Sequence, residues 1–158
     1  MTKKHYGNNY EVSDLRAWLN GDFCNAAFTA DESAYVLTTV ISDPIHTFSF
    51  MDYETEDKVF VLSPDEANAL FASDEARIAQ PTAYAKTKGL DVRSRMVSEG
   101  VSIDVCEWWL RVPGEETGDG TFVEYAGRVN TKGKPINYAN GVRPAITFDL
   151  ASYCGTND

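Results

Sequence analysis

Two short segments decide the fold of this chain: Trp108-Trp109-Leu110-Arg111-Val112-Pro113-Gly114 and Gly141-Val142-Arg143-Pro144-Ala145. Both place an arginine near a proline among aromatic or β-branched residues, which is typical of a short strand that ends at a turn. Residues 115–140 lie between them and are rich in Gly, Asn, Tyr and charged side chains. This arrangement predicts a rigid frame that holds a long irregular surface.

Length and composition predict a single domain with a real core, because 43% of the 158 residues are hydrophobic and 12% are aromatic. We expect a flexible N-terminus at residues 1–9, the domain at residues 10–152 and a tail at residues 153–158.

The formal net charge of −10 repels phosphate backbones, so nucleic acid is a poor partner. No apolar run approaches the roughly 20 residues of a membrane span, and no apolar stretch follows the basic start as in a signal peptide.

The first ordered element is predicted to be a helix that starts after Ser13, a good N-cap residue. It carries one apolar stripe and is ended or bent at Gly21. The residues of that stripe are Leu15, Trp18, Leu19 and Phe23. Thr29 and Glu32 form a capping box that starts a second helix, which residues 36–41 either extend or replace with a strand.

The middle of the chain is predicted to contain a loop over 43–57, then a buried strand over 58–62. The loop contains an acidic cluster of Asp52, Glu54, Glu56 and Asp57. Ser63-Pro64-Asp65-Glu66 combines an N-cap, a first-turn proline and a capping glutamate, and is the clearest helix start in the sequence. Another short helix is expected over 83–88, closed by Gly89.

From Cys106 onward the sequence has the character of short strands joined by turns rich in Pro, Gly and Asn. The strands are expected at 108–112, 121–125, 128–130 and 142–150. Helices therefore come first and an antiparallel sheet comes last, which predicts an α+β fold with N-terminal helices packed on a small antiparallel sheet and long irregular loops.

Catalytic and cofactor motifs are missing from the sequence. His5 and His46 are the only histidines, and a pairing of Cys24 or Cys106 with His46 as a nucleophile has no local signature. The acidic cluster has oxygen ligands that suit calcium, but it lacks the glycine and distal glutamate of an EF-hand loop, so a solvated loop is the preferred interpretation. We predict no catalytic residue, no metal ligand and no cofactor.

The framework of the fold is predicted to depend on tryptophans and arginines. Because neighbouring residues on a strand point to opposite faces, one of Trp108 and Trp109 should lie in the core and the other can be exposed or covered by a loop. An exposed tryptophan would suit stacking on a sugar, but core packing of both is the preferred interpretation, and both are assigned to the framework. Arg111 and Arg143 are expected to pair with a carboxylate or with loop carbonyls, and Trp18 is assigned to the framework of the first helix.

The binding surface is predicted within 115–140, where tyrosine, asparagine and cationic side chains offer aromatic area and adaptable hydrogen bonds. A plain turn-rich hairpin region is the alternative. The predicted binding residues are Tyr125, Arg128, Asn130, Lys132, Asn137, Tyr138 and Asn140.

Motifs in order along the chain resemble a bacterial family of unknown function that is common in gut Firmicutes and their phages. These motifs lie at 13–20 (S-D-L-R-A-W-L-N), 57–63 (D-K-V-F-V-L-S), 82–85 (T-A-Y-A), 108–114 (W-W-L-R-V-P-G) and 141–145 (G-V-R-P-A). The W-L-R and G-x-R-P layout further resembles the formylglycine-generating-enzyme branch of the C-type-lectin-like fold. That branch includes the variable ligand-binding proteins of diversity-generating retroelements.

This resemblance implies a C-type-lectin-like domain in which 115–140 corresponds to the variable, ligand-binding segment. It also implies a possible bridge between Cys24 and Cys154. Val112 departs from the family pattern, which has serine there, and relatives have strands upstream of the first helix. The two active cysteines of the formylglycine enzyme have no counterpart, and the calcium and sugar motifs of true lectins are absent.

The function predicted from these features is non-enzymatic recognition of a protein or glycan through 115–140. The alternatives are an enzyme related to formylglycine-generating oxidoreductases and an assembly module of a phage particle. We expect no nucleic-acid or membrane partner and, by default, a cytoplasmic or phage-associated location. The ligand, the compartment and the oligomeric state stay open.

Overall fold

A computed structural model describes residues 8–43 and 53–155. These residues belong to two compact units. The middle unit comprises Asn8 and residues 61–143, and the terminal unit comprises residues 9–43, 53–60 and 144–155. Whether the chain folds as one domain, with the predicted bounds, stays a prediction.

The elements are short helices and small sheets. The helices are α1 (Asp14–Trp18), α2 (Cys24–Ala27), α3 (Ala30–Tyr35), α4 (Pro64–Leu70), α5 (Asp74–Arg77), α6 (Ala83–Thr87) and α7 (Leu150–Gly155). The strands are β1 (Val36–Leu37), β2 (Thr39–Asp43), β3 (Tyr53–Asp57), β4 (Arg93–Ser98), β5 (Val101–Val105), β6 (Trp108–Pro113), β7 (Asp119–Val123), β8 (Val129–Pro135) and β9 (Thr147–Phe148). A 3₁₀ turn, Tyr10–Val12, precedes α1, and a π-helical turn, Leu19–Phe23, joins α1 to α2.

The fold is α+β, as predicted, but its strands form several small antiparallel sheets instead of one. β1 pairs with β9, β2 with β3, β4 with β5, and β6, β7 and β8 form a three-stranded sheet. The expected order of helices first and sheet last is wrong, because three of these pairings use strands before Cys106. Within the described ranges, no helix is long and apolar enough to cross a membrane.

The first helix begins where the sequence predicted and continues past the expected stop. The Ser13 hydroxyl accepts a hydrogen bond from the Arg16 backbone N–H at 3.1 Å, as an N-cap does. Gly21 does not end the helix, since it lies inside the π-helical turn, and the alternative that it bends the helix stays a prediction. Leu19 is fully buried, whereas Trp18 is 39% exposed and packs on Phe23 at 5.1 Å between ring centroids.

The predicted strand over 58–62 is buried but is not part of a sheet ladder. Val59 is fully buried, and its N–H and C=O both bond the Asn20 side chain, at 3.1 and 2.9 Å. Phe60 exchanges two backbone hydrogen bonds with Ala145, at 3.0 and 2.8 Å. An amide side chain on a helix thus takes the place of a neighbouring strand, because every buried backbone group needs a partner.

The acidic segment is in part a strand, which corrects the predicted loop over 43–57. Residues 53–57 form β3 and pair with β2. Asp57 is buried and pairs with Arg16 at 2.7 Å, while Glu54 and Glu56 are exposed. Asp52 and His46 lie outside the described residues, as does His5.

Both capping boxes form as predicted. Thr29 and Glu32 start α3, after which residues 36–41 enter β1 and β2 instead of extending the helix. Ser63 and Glu66 start α4, with Pro64 in its first turn. Helix α6 is followed by Gly89 at φ 84°, close to the expected stop.

The middle unit is organised around β6, whose neighbouring tryptophans face opposite sides as expected. Trp108 is 1% exposed and donates its indole N–H to the Arg77 carbonyl at 3.0 Å. The Arg143 guanidinium lies over the rings of Phe71 and Trp108, at 4.6 and 5.3 Å, and bonds the same Arg77 carbonyl at 3.3 Å. Arg143 therefore closes one face of the core by ring and carbonyl contacts.

Arg111 pairs with a carboxylate and a carbonyl, as expected of a framework arginine. Its Nη2 donates to Glu66 Oε1 at 2.8 Å, its Nη1 pairs with Glu66 Oε2, and Nη1 also donates to the Val61 carbonyl at 3.0 Å. Glu66 Oε2 accepts a further bond from the Ser63 N–H at 3.0 Å. Burial alone would raise the pKa of Glu66, but the Arg111 and Ser63 hydrogen bonds and the Arg111 charge outweigh it and lower that pKa.

Glu66→Gln should therefore destabilise the fold in a pH-dependent way. Because the pKa of Glu66 is lower in the folded chain, its ionised form stabilises the fold above the ordinary carboxyl pKa of 4.5, and this stabilisation is lost as the pH falls through the folded value. We expect a loss of about 1–2 kcal/mol at neutral pH, less than for a fully buried pair because the Glu66 side chain is 37% exposed. Denaturant unfolding at several pH values measures the difference in unfolding free energy between the wild type and the variant. Glu116→Gln is the control, because Glu116 is exposed. A pH-independent difference would contradict this assignment.

Gly127→Ala should be among the costliest glycine substitutions in the middle unit. Gly127 has φ 84°, and a Cβ there would lie 1.7 Å from the Asp74 carbonyl oxygen. Left-handed strain and a backbone clash together predict a loss of at least about 3 kcal/mol in denaturant unfolding. Gly100→Ala is the matched control, since it has φ 73° with nothing within 4 Å, and should cost only about 1–2 kcal/mol. Equal losses of unfolding free energy for the two variants would show that the clash with the Asp74 carbonyl does not destabilise the fold.

Candidate functional site

The candidate site is the face of the β6–β7–β8 sheet opposite Trp108. Trp109 and Phe122 are register partners on this face and meet edge to face at 6.2 Å between centroids. The Lys134 ammonium on β8 lies 4.4 Å from the Phe122 ring, 5.1 Å from Tyr138 and 5.8 Å from Trp109. We call these four residues with Glu107 the cation cluster.

Lys134 is fixed in the cluster by an ion pair with Glu107. The two side chains are only 17% and 12% exposed, so the pair is partly removed from water. Rings that surround an ammonium attract it through their negative faces, and a desolvated cation gains more from them than an exposed one. Glu107 therefore neutralises the charge of Lys134. The cluster is a fixed support for its aromatic rings and not a free cationic site.

Tyr125 extends this face beyond the cluster. Its hydroxyl donates to Asp91 Oδ2 at 2.7 Å, and the Arg93 guanidinium lies 4.2 Å from the ring centroid. Burial raises the pKa of Tyr125 to about 12, helped by the Asp91 hydrogen bond and by the charges of Glu107 and Asp91, while Arg93 opposes the shift. The phenol thus stays protonated and keeps its orientation at neutral pH.

The segment after β8 carries exposed apolar and aromatic surface, which includes Tyr138 of the cation cluster. Tyr138 is 57% exposed and Ile136 is 41% exposed. The backbone beneath them is anchored, because the Ile136 N–H bonds the Gly118 carbonyl at 3.1 Å and the Asp91 N–H bonds the Ala139 carbonyl at 3.0 Å. The side chains are therefore offered to solvent from a fixed backbone.

Two of the predicted binding residues instead hold the β7–β8 turn. Arg128 donates two hydrogen bonds to Glu124 Oε2 at 3.0 and 2.9 Å, and Asn130 donates to Glu124 Oε1 at 2.9 Å. The Asn130 amide and then the Arg128 contacts lower the pKa of Glu124 against the effect of burial. Asn130 also accepts from the Gly133 N–H at 3.1 Å.

The other predicted residues divide between this face and its surroundings. Tyr125 and Tyr138 belong to the face, and Lys132 and Asn137 are exposed. Asn140 is half-buried, and its Nδ2 has no hydrogen-bond partner among the residues that the structure describes. The sequence prediction missed Glu107 and Lys134, because their pairing joins positions far apart in the chain and no local pattern marks it.

The cysteine side chains in the part of the chain that is described are thiols, not disulfides. Cys24, Cys106 and Cys154 are all free, so the bridge between Cys24 and Cys154 is not formed. Burial raises the pKa of Cys106, although the Arg143 charge acts against that shift, and its thiol donates to the Ala79 carbonyl at 3.7 Å. Over 8–43 and 53–155, no group of three His, Cys, Asp or Glu side chains could hold a metal ion.

Asp91→Asn should lower the pKa of Tyr125 from about 12 toward its ordinary value of 10.0. The variant removes the charge and the anionic acceptor but leaves the ring half-buried, so the shift should be partial. A pH titration of phenolate absorbance, with Tyr125→Phe to assign the signal, measures it. Asp104→Asn is the control, because Asp104 pairs with Lys86 instead. An unchanged Tyr125 titration would show that Asp91 does not contribute to the raised pKa of Tyr125.

Comparison with known proteins places the chain in a family. No curated protein and no solved structure matches it. The family described as "Domain of unknown function (DUF6273)" matches residues 1–150, which is nearly the whole chain. The chain therefore belongs to the DUF6273 family, a family of unknown function.

Proposed function

We propose that this protein is a non-enzymatic recognition module that binds a protein or glycan through the face formed by the cation cluster and Tyr125. The observation that carries this proposal is the exposure of Tyr138 beside a lysine that is held by both an ion pair and three rings. An exposed aromatic ring on a rigid support binds at a low cost in side-chain entropy.

The chemistry of the face supports recognition more than catalysis. Lys134 is neutralised by Glu107, and the phenol of Tyr125, with a pKa raised to about 12, is a poor base at neutral pH. A nucleophilic thiol needs a lowered pKa, whereas that of Cys106 is raised. These features count against the alternative of an oxidoreductase related to the formylglycine enzyme.

A protein ligand is favoured over a glycan by the apolar residues around Tyr138. Ile136 is 41% exposed two residues away, and an aliphatic side chain beside an aromatic one is typical of the centre of a protein interface. Lys132 and Asn137 are exposed nearby in sequence and would supply the polar rim.

The C-type-lectin-like relationship belongs to this proposal. It is supported by the α+β composition and by the pairing of the W-W-L-R motif at 108–111 with the G-V-R-P-A motif at 141–145. The first motif lies in β6, and the Gly141 carbonyl of the second accepts a hydrogen bond from the Trp109 N–H at 3.0 Å. The residues that the resemblance assigns to ligand binding then lie between two paired segments. Variation of the exposed members, such as Lys132, Asn137 and Tyr138, would leave those pairings intact.

Tyr138→Ala should abolish or strongly weaken ligand binding while leaving the melting temperature almost unchanged, because the side chain is more than half exposed. Candidate ligands are found by probing a glycan array with the labelled protein and by selecting a random peptide display library on the immobilised protein. Affinities of the selected ligands are then measured by calorimetry. Loss of a buried aromatic contact in a complex typically costs about 2 kcal/mol or more, so we expect an affinity at least about thirtyfold lower.

Tyr84→Ala is the matched control, since Tyr84 is 69% exposed and carries Lys88 over its ring at 5.3 Å without belonging to the face. It should leave binding unchanged. The proposal is wrong if the selected ligands bind Tyr138→Ala as tightly as the wild type, or if Tyr84→Ala weakens them equally.

A further inference from the structure

Arg95 differs from the other arginines because its Nη1 has no hydrogen-bond partner among the residues that the structure describes. Each of the others contacts a carboxylate, a carbonyl or a ring: Arg16, Arg77, Arg93, Arg111, Arg128 and Arg143. The Arg95 side chain is half-buried, and its Nη1 is buried without a hydrogen bond to any described residue. The N–H donors of this one nitrogen are therefore left unpaired away from water, which is costly.

This arginine lines a cleft of about 410 Å³ in the middle unit. Apolar side chains make up most of the remaining lining: Ile78, Met96, Val97 and Ile103. Glu75 lies at the same cleft and is exposed. The volume falls within the range of small-molecule sites, which are typically apolar with a few polar groups that orient the ligand.

The β4–β5 hairpin explains how the charge and the apolar side chains come together. Arg95 and Ile103 are register partners, so they share one face of this two-stranded sheet. The register shifts between Met96 and Ser98, and Val97 lies at this irregularity with half of its surface exposed. A bulge re-aims side chains locally, which allows Met96 and Val97, successive residues, to line the same cleft.

We propose that this cleft binds a small monocarboxylate with an apolar body. The carboxylate would bond two Arg95 N–H groups in the bidentate geometry that guanidinium favours, and the apolar body would lie against Ile78, Met96 and Ile103. Glu75 disfavours a second negative charge on the ligand, which selects monoanions over dicarboxylates. This site is separate from the recognition face, since it shares no residue with the cation cluster.

Hexanoate and hexanamide are matched probes, because they have nearly the same size and differ in the charge of the head group. Binding to the full-length protein is followed by NMR, through the methyl resonances of Ile78, Met96 and Ile103. We expect hexanoate to shift these resonances saturably and hexanamide to bind at least about tenfold more weakly, since a charge-assisted hydrogen bond contributes at least that much. Adipate, a dicarboxylate of similar length, should also bind more weakly than hexanoate.

Arg95→Gln should lose hexanoate binding, and Arg95→Lys should retain only part of it because it keeps the charge but loses the fork of donors. Arg128→Gln is the control, since Arg128 pairs with Glu124 away from the cleft and should bind hexanoate normally. Melting temperatures of all three variants report on folding. The proposal is overturned if hexanamide binds as well as hexanoate, if Arg95→Gln keeps the methyl shifts, or if hexanoate causes none. A short peptide with a free apolar C-terminus that binds more than tenfold tighter than hexanoate would also overturn it, by assigning the cleft to a peptide.

Discussion

The pairing of Arg111 with Glu66 is the constraint on which the middle unit depends. Arg111 lies in the core with only 5% of its surface exposed, and a buried guanidinium is tolerated only when its donors are matched. Glu66 matches them while it also caps α4 through Ser63. One carboxylate thus joins the start of α4 to β6, and the Val61 carbonyl accepts a further hydrogen bond from Arg111.

Trp108 and Arg111 anchor β6 on the side of the sheet that faces the core. The opposite face of the sheet is therefore available for other contacts. Trp109 packs there with Phe122 and Lys134, and a strand's period of two separates it from its buried neighbour. The proposed recognition surface therefore rests on the same strand that organises the core. Variation in exposed side chains such as Tyr138 would leave the Arg111 pairing untouched.

Arginines in this chain illustrate how environment decides the role of one side chain. Arg111 and Arg143 are matched by a carboxylate, carbonyls and rings, and Arg128 stabilises a turn through Glu124. Arg95 has the same chemistry, but its Nη1 has no hydrogen-bond partner among the described residues, and for that reason a ligand is proposed for it. The composition of residues 115–140 predicted binding by Arg128, and no local pattern marks Arg95, because neither burial nor pairing is visible in residue type alone.

Local rules determined much of this protein from its sequence. The caps at Ser13, Thr29 and Ser63, the opposed faces of Trp108 and Trp109 and the α+β class all follow from short-range sterics and hydrogen bonding, which act over a few residues. Tertiary structure alone decided that Asn20 would replace a strand beside Val59 and that Glu107 would meet Lys134. These outcomes depend on which distant segments are brought together, and the energy of such contacts is absent from any local window of the chain.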